Sequence, residues 1–133
     1  MKISVERTND KYAVSVKNER GNTSVIDGSG SAFKPMEMLL ASLAACTVVD
    51  IVDILKKQKQ ELNDIKIDVE GEREQLEMIK PFKALHVHYK LFGQIDEKKA
   101  QRAIDLAFNK YCSVSASLNK AINKSFSFEI INE

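Results

Sequence analysis

The sequence predicts an α+β fold. Segments with alternating apolar residues come in groups, separated first by one long helical segment and later by a pair of short helices. This segregation, in the order β-β-β-α-β-β-α-α-β, is typical of the α+β class. The chain has 133 residues, 44% of them hydrophobic and 29% charged, which is enough for a conventional core without disulfides. No internal repeat or change in composition marks a boundary, so we expect a single domain over residues 1–133.

The first 27 residues predict two or three antiparallel strands. Apolar residues alternate around Val5 and again around Val14, with the period of two that half-buried strands show. Clusters of turn-forming residues at positions 8–10 and 18–22 separate these segments. Gly and Ser then occupy positions 28–31, where we expect a flexible loop.

A long helix is predicted from residue 36 to about residue 60. Pro35 suits the first helical turn, because the N–H that it lacks would be unpaired there. The middle of the helix is apolar on almost every side, so other structure should enclose it. Its length would suit a membrane span, but Asp50 and Asp53 would be costly in hydrocarbon, and we expect no membrane association. A second copy of the chain is its natural cover, and the alternative is that the chain's own sheet wraps it.

The second half of the chain predicts a hairpin, two helices and a closing strand. Alternation over residues 65–73 and 82–92 indicates the two strands of the hairpin. Asp96 is a good N-cap for the next helix, and Ser113 is suited to cap another that continues to Ile122. Apolar residues at 126, 128 and 130 then predict the last strand.

Charge and sorting signals give little indication of a partner. Lys and Arg total 20 and Asp and Glu total 19, so the net charge of +1 provides no general attraction to nucleic acid. The first ten residues contain no apolar run of the kind found in signal peptides. We therefore expect a cytoplasmic protein whose cysteines are free thiols.

The residues best suited to chemistry are the two cysteines, Cys46 and Cys112. Neither belongs to a Cys-x-x-Cys pair, so we expect no structural zinc site. Cys46 lies about eleven residues into the long helix, too far from its N-terminus to be activated there, so a cation from elsewhere would be required. From composition alone, an inert core thiol is the commoner interpretation of Cys46.

Cys112 lies just before a predicted helix, where N–H groups of the first turn would stabilise a thiolate. Core packing between Tyr111 and Val114 is an equally good interpretation. His86 and His88 alternate on one strand face, but a third ligand at readable spacing is missing, and we expect no metal and no cofactor. Phosphate-binding loops and Ser/His/Asp arrangements are also missing from the sequence.

Two segments resemble the OsmC/Ohr family of osmotically induced and organic-hydroperoxide-resistance proteins. Residues 35–46 read Pro-Met-Glu-Met-Leu-Leu-Ala-Ser-Leu-Ala-Ala-Cys and, with residues 47–55, are similar to the central helix of that family. Residues 110–114 read Lys-Tyr-Cys-Ser-Val and resemble its second cysteine motif. With the strand order, the resemblance covers nearly the whole chain.

The resemblance implies an intertwined homodimer, with antiparallel sheets around a long central buried helix and reactive sites at the subunit interface. It also implies a thiol peroxidase that reduces organic hydroperoxides in oxidative stress defence. By similarity, Cys46 attacks the hydroperoxide as a thiolate and Cys112 resolves the sulfenic acid as a disulfide, which a dithiol reductant reopens.

The activating residues differ from the usual peroxidase pattern. That pattern has Glu directly after the Pro, whereas Met36 stands there in this chain and Glu37 comes one position later. The family's Arg from an early strand turn would correspond to Arg7 or Lys11. A shorter OsmC-like branch has the same Pro-Met-Glu. Two functions therefore stay open: a peroxidase with Glu37 in its catalytic set, or a non-catalytic OsmC-like protein that binds a small hydrophobic or thiol ligand.

Overall fold

The computed structural model describes all residues, Met1–Glu133, and confirms the α+β class and the predicted order of elements. A six-residue π-helix, Leu106–Tyr111, is an addition that the sequence did not predict. The other elements are β1 (Ile3–Arg7), β2 (Ala13–Asn18), β3 (Thr23–Asp27), α1 (Pro35–Lys57), β4 (Glu61–Arg73), β5 (Phe82–Gln94), α2 (Glu97–Asp105), α3 (Ser113–Ser117) and β6 (Asn123–Ile131).

The chain forms two compact units, Met1–Leu39 and Leu40–Glu133, and helix α1 continues from the first into the second. The first unit holds the antiparallel sheet β1-β2-β3, and the second holds the sheet β4-β5-β6 with the remaining helices. The expectation of one domain over residues 1–133 stays a prediction.

Residues 28–31, where the composition predicted a flexible loop, form a hydrogen-bonded turn around Asp27. The buried Asp27 carboxylate accepts hydrogen bonds from the Ser31 hydroxyl, from the Ser29 hydroxyl at 2.7 Å and from the Ser29 N–H at 2.8 Å. The bonds from Ser31 and then Ser29 hold the pKa of Asp27 below its usual value. Asp27 is thus an ordering residue of the first unit.

The second sheet is mixed, which corrects the expectation of purely antiparallel sheets. Strand β5 pairs antiparallel with β4, as a hairpin should, but β6 lies parallel to β5. The reason is the connection between them, because α2, the π-helix and α3 together form the long crossover that a parallel pair needs.

Helix α1 buries one stripe at a spacing of four residues. The stripe consists of Leu43, Thr47, Ile51 and Leu55. Within one chain the rest of the helix has no full cover, and the side chains of Val49 and Val52 are 64% and 39% exposed. A helix enclosed on every side is therefore not present in the single chain. Helix α1 is also long and apolar enough to cross a membrane. This is weak evidence for a membrane span, because the core helices of soluble proteins and signal sequences meet the same criterion.

The inner face of β5 is built as its alternation predicted. Leu85, Val87, Tyr89 and Leu91 are buried, while the intervening residues are more exposed. Helix α2 adds Ala100, Ala103 and Ile104 to the core of this unit. Its N-cap is Asp96, as predicted, and the Asp96 carboxylate accepts the Lys99 N–H at 3.1 Å.

The helix after Cys112 corrects another expectation. It is only five residues long, its N-cap is Cys112 rather than Ser113, and Leu118 is already extended with φ −81° and ψ 159°. The chain turns at residues 119–122, where the Ile122 N–H donates to the Asn119 carbonyl. Because this turn leads into β6, the helix cannot continue to Ile122.

Candidate functional site

Cys112 lies between the π-helix and α3, and its sulfur caps α3. Its backbone is extended, with φ −76° and ψ 104°, and its Sγ accepts a hydrogen bond from the Ser115 N–H at 3.3 Å. A sulfur here takes the place of the oxygen that usually caps a helix. π-helical turns are rare and are often found at functional sites. Cys112 itself is 4% exposed.

The structure brings Cys46 and Cys112 together. Cys46 is half-buried on α1, and both cysteines are free thiols. Burial raises the pKa of the Cys112 thiol, and the N–H groups of Ser115 and Val114 oppose that rise. Cys46 raises the pKa of Cys112 further, through a hydrogen bond between the two side chains and through its charge. The two sulfurs are therefore neighbours, although the cysteines are distant in the sequence.

A buried tyrosine lies beside this pair. Tyr89 is fully buried, and its hydroxyl donates a hydrogen bond of 2.9 Å to Thr47 Oγ1. The Thr47 hydroxyl donates in turn to the Ala44 carbonyl at 2.8 Å. Burial raises the pKa of Tyr89 to about 12, the bond to Thr47 lowers it, and the charge of Cys112 adds to the rise. The alternation of β5 predicts that Tyr89 faces inward. A polar hydroxyl among the apolar residues of that face is the sequence signal by which Tyr89 could have been found.

A lysine supports Cys112 from β6. Lys124 is half-buried, and its Nζ donates to Ser115 Oγ at 2.8 Å and to the Ser115 carbonyl at 3.0 Å. Ser115 is the residue whose N–H donates to Cys112 Sγ. No carboxylate forms an ion pair with Lys124. The sequence alone did not predict a role for this lysine, because nothing in the pattern of β6 distinguishes it from a solvated one.

Glu37 has a local structural role at the start of α1. Its carboxylate accepts the Lys34 N–H at 2.8 Å, which is the returning half of a capping box. With Ala32 and Phe33 it lines an open depression of about 550 Å³. A catalytic role for Glu37 stays a prediction.

Arg7 and Lys11, the candidate activating cations, flank the turn between β1 and β2 and are exposed. The Arg7 Nε donates to the Asn9 carbonyl at 2.6 Å, and the Lys11 N–H donates to Asn9 Oδ1 at 3.0 Å. These bonds shape the turn of the first unit, and a role in activating Cys46 stays a prediction.

His86 and His88 are engaged by hydroxyl groups of β6. The two ring nitrogens of His86 lie 2.8 Å from the hydroxyl oxygens of Ser125 and Ser127. His88 Nδ1 is 2.7 Å from Ser127 Oγ, and its Nε2 is 3.5 Å from Glu129. These contacts link β5 to β6 across the sheet.

Comparison with known proteins shows which family has this arrangement. Residues 28–126 match the family described as OsmC-like protein. The chain belongs to the OsmC-like protein family. Protein YhfA of Escherichia coli K12 is 33% identical over 114 residues, which are 84% of this chain and 84% of YhfA.

Solved structures of other proteins share the fold. A hypothetical protein from Aquifex aeolicus VF5 is 31% identical, with a TM-score of 0.89, covering 99% of this chain and 96% of its own. An organic hydroperoxide resistance protein OsmC from Legionella pneumophila is 17% identical, with a TM-score of 0.72 and 97% coverage of both chains. The family match over residues 28–126, which include residues 35–55 and 110–114, confirms the resemblance found in those two segments.

Proposed function

We propose that this OsmC-like protein is a cysteine-based thiol peroxidase that reduces organic hydroperoxides in oxidative stress defence. The main support is the contact between Cys46 and Cys112, one half-buried on a helix and the other held as a helix cap. Two core thiols with no chemical role have no reason to be neighbours. The name of the Legionella relative, an organic hydroperoxide resistance protein, indicates the substrate class.

The proposed reaction begins at Cys46. Its thiolate attacks one peroxide oxygen, the O–O bond breaks, and the alkoxide leaves as an alcohol after taking a proton, so that Cys46 becomes a sulfenic acid. Cys112 then attacks the Cys46 sulfur. The S–S bond forms, and the sulfenic hydroxyl leaves as water with the proton from the Cys112 thiol. A dithiol reductant restores the two thiols, and no metal or organic cofactor takes part.

Glu37 completes the proposed catalytic set, with Arg7 or Lys11 as the cation that favours the Cys46 thiolate. The depression lined by Phe33, Ala32 and Glu37 offers an apolar surface next to a carboxylate. Such a surface suits the apolar part of an organic hydroperoxide.

The proposed active form is an intertwined homodimer in the cytoplasm. The exposed side chains of Val49 and Val52 leave an apolar strip along α1, and Ile3 and Val5 of β1 are 55% and 61% exposed. Uncovered apolar surface of this kind marks an interface. A second copy of the chain is the proposed cover, because the family resemblance implies reactive sites at the interface between two subunits.

The second candidate is a non-catalytic protein that binds a small hydrophobic or thiol ligand. One observation favours it: burial raises the pKa of Cys112, and a thiol that keeps its proton is a slow nucleophile. A peroxidase turns over hydroperoxide and a binding protein does not, so one assay of hydroperoxide consumption distinguishes the two candidates.

Steady-state consumption of cumene hydroperoxide with dithiothreitol distinguishes the two functions. The peroxidase proposal expects turnover by the unaltered protein and none by Cys46→Ser. Cys112→Ser should form no disulfide with Cys46 and should lose the turnover that depends on that disulfide. Gln101→Lys, an exposed change on α2, serves as a control that should keep full turnover. Consumption by the unaltered protein no faster than by Cys46→Ser would favour the binding protein instead.

A further inference from the structure

We propose that Lys124, acting through Ser115, prepares Cys112 to be the sulfur that leaves when a thiol reductant opens the Cys46–Cys112 disulfide, so that the reductant attacks Cys46. This inference rests on the proposed function, since it concerns the return of the oxidised protein to its dithiol form. It makes Lys124 a positioning residue. It also states which sulfur the reductant attacks, Cys46, and which sulfur leaves, Cys112.

The first support is the unusual setting of the Lys124 side chain. Its ammonium group is half-buried and donates to two neutral oxygens of one residue, Ser115 Oγ and the Ser115 carbonyl. No carboxylate neutralises it. The two hydrogen bonds of the ammonium group therefore both hold Ser115, the residue whose N–H caps Cys112.

The second support is the pair of hydrogen-bond steps that connects Lys124 to the Cys112 sulfur through Ser115. Lys124 binds both the hydroxyl and the carbonyl of Ser115, and the Ser115 N–H donates to Cys112 Sγ at 3.3 Å. Lys124 is not among the groups that shift the pKa of Cys112, which are burial, the N–H groups of Ser115 and Val114, and Cys46. It therefore acts by holding Ser115, whose N–H stabilises the thiolate.

The third support is the difference in access between the two sulfurs. Cys46 is half-buried, whereas Cys112 is 4% exposed. A reductant in solution reaches Cys46 more readily. Attack at Cys46 also makes Cys112 the leaving sulfur. The bond from the Ser115 N–H partly offsets the burial that disfavours the Cys112 thiolate, and a leaving thiol with a lower pKa departs faster.

The step balances as an ordinary thiol–disulfide exchange. A thiolate of the dithiol reductant attacks Cys46 Sγ and forms a mixed disulfide, while the Cys46–Cys112 bond breaks. Its electron pair goes to Cys112 Sγ, which receives the Ser115 N–H as a donor and later a proton from water. The second thiol of the reductant then attacks the mixed disulfide, and it releases Cys46 as a thiolate and the reductant as a cyclic disulfide.

The test uses protein oxidised with diamide, so that it does not depend on peroxidase activity. Glutathione, a monothiol, is added in a short pulse, and mass spectrometry locates the mixed disulfide. The rate of reduction by dithiothreitol is measured for Lys124→Met, Lys124→Arg, Ser115→Ala and the control Lys120→Met, which changes an exposed lysine. The pKa of Cys112 is measured in a Cys46→Ser background from thiolate absorbance.

We expect glutathione on Cys46. Lys124→Met should raise the pKa of Cys112 and slow reduction about threefold or more, since exchange rates follow the pKa of the leaving thiol. Ser115→Ala keeps the N–H and the carbonyl and should change both quantities in the same direction by less. Lys124→Arg should restore both quantities, and Lys120→Met should change neither. Glutathione found on Cys112, an unchanged Cys112 pKa in Lys124→Met, or no Cys46–Cys112 disulfide after diamide would overturn the inference. A hydroperoxide assay without turnover, with these results intact, would overturn only the proposed function.

Discussion

The Tyr89 hydroxyl donates a hydrogen bond of 2.9 Å to Thr47, the residue that follows Cys46 on α1. The Thr47 hydroxyl in turn donates a hydrogen bond to the Ala44 carbonyl, one helical turn earlier. The bond therefore joins the inner face of β5 to the helical turn that carries Cys46. Because Tyr89 is fully buried, water cannot replace the bond if it is lost.

Replacing this tyrosine should lower stability at neutral pH. Tyr89→Phe removes one buried hydrogen bond and leaves Thr47 Oγ1 without its donor, at a cost of about 1 kcal/mol in the free energy of unfolding. Urea unfolding at pH 7 measures this difference. Thr47→Val removes the acceptor, and a stability equal to that of the unaltered protein in both variants would contradict a stabilising bond.

The same variant should behave differently at high pH. The pKa of Tyr89 is raised from 10.0 to about 12, so the folded protein holds this proton more tightly than the unfolded chain does. The resulting stability is fully present below pH 10 and is lost as the pH rises toward 12, by roughly 3 kcal/mol in total. The phenylalanine ring in Tyr89→Phe has no proton to lose, so the deficit of this variant should shrink above pH 10. A deficit that stays constant up to pH 12 would contradict the assigned pKa.

A pair of substitutions at Glu37 separates helix capping from catalysis. Glu37→Gln keeps a side-chain oxygen for the Lys34 N–H but removes the negative charge, whereas Glu37→Ala removes both. If Glu37 belongs to the catalytic set, Glu37→Gln should slow hydroperoxide consumption while thermal unfolding stays unchanged. Full activity in Glu37→Gln, with lower stability only in Glu37→Ala, would restrict Glu37 to its capping role.

The apolar strip on α1 predicts the oligomeric state. Light scattering of a dilute sample should give twice the chain mass of 15.0 kDa. Val49→Lys should weaken the dimer, because it places a charge where Val49 is 64% exposed in the single chain and buried in the expected interface. Gln101→Lys adds the same charge elsewhere and should leave the mass unchanged. A folded monomer of the unaltered protein at micromolar concentration would contradict this prediction.

Trapping of sulfenic acid tests which cysteine attacks first. In Cys112→Ser, dimedone added with substoichiometric cumene hydroperoxide should label Cys46 and halt further oxidation. The reciprocal variant, Cys46→Ser, should remain unlabelled, because the burial that raises the pKa of Cys112 keeps its thiol protonated. Label on Cys112 alone would reverse the two roles.

Local features of this fold were predictable from the sequence. The inner face of β5 follows from a period of two, and Asp96 caps α2 because a carboxylate at that place satisfies N–H groups a few residues away. Both depend only on neighbouring residues. The long apolar run of α1 was equally readable, but its exposed side shows that composition alone does not tell which faces one chain can cover.

Features that depend on distant segments were not predictable in the same way. The parallel pairing of β6 with β5 depends on the path of the whole crossover, including a π-helix that no residue pattern announces. Likewise, Lys124 meets Ser115 because β6 passes beside α3, and a lysine in an alternating strand is more often solvated. The contact of Cys46 with Cys112 was implied by family resemblance and by nothing in the spacing of the two residues.

The most direct test of the central claim is the disulfide between Cys46 and Cys112. The protein is treated with one equivalent of cumene hydroperoxide, digested without reduction and analysed by mass spectrometry, with Cys112→Ser as the control. Neighbouring sulfurs that act in turn should give a peptide pair joined at positions 46 and 112, and the pair should disappear after dithiothreitol. Cys46 converted to sulfinic acid, with no joined peptide, would contradict the resolving role of Cys112.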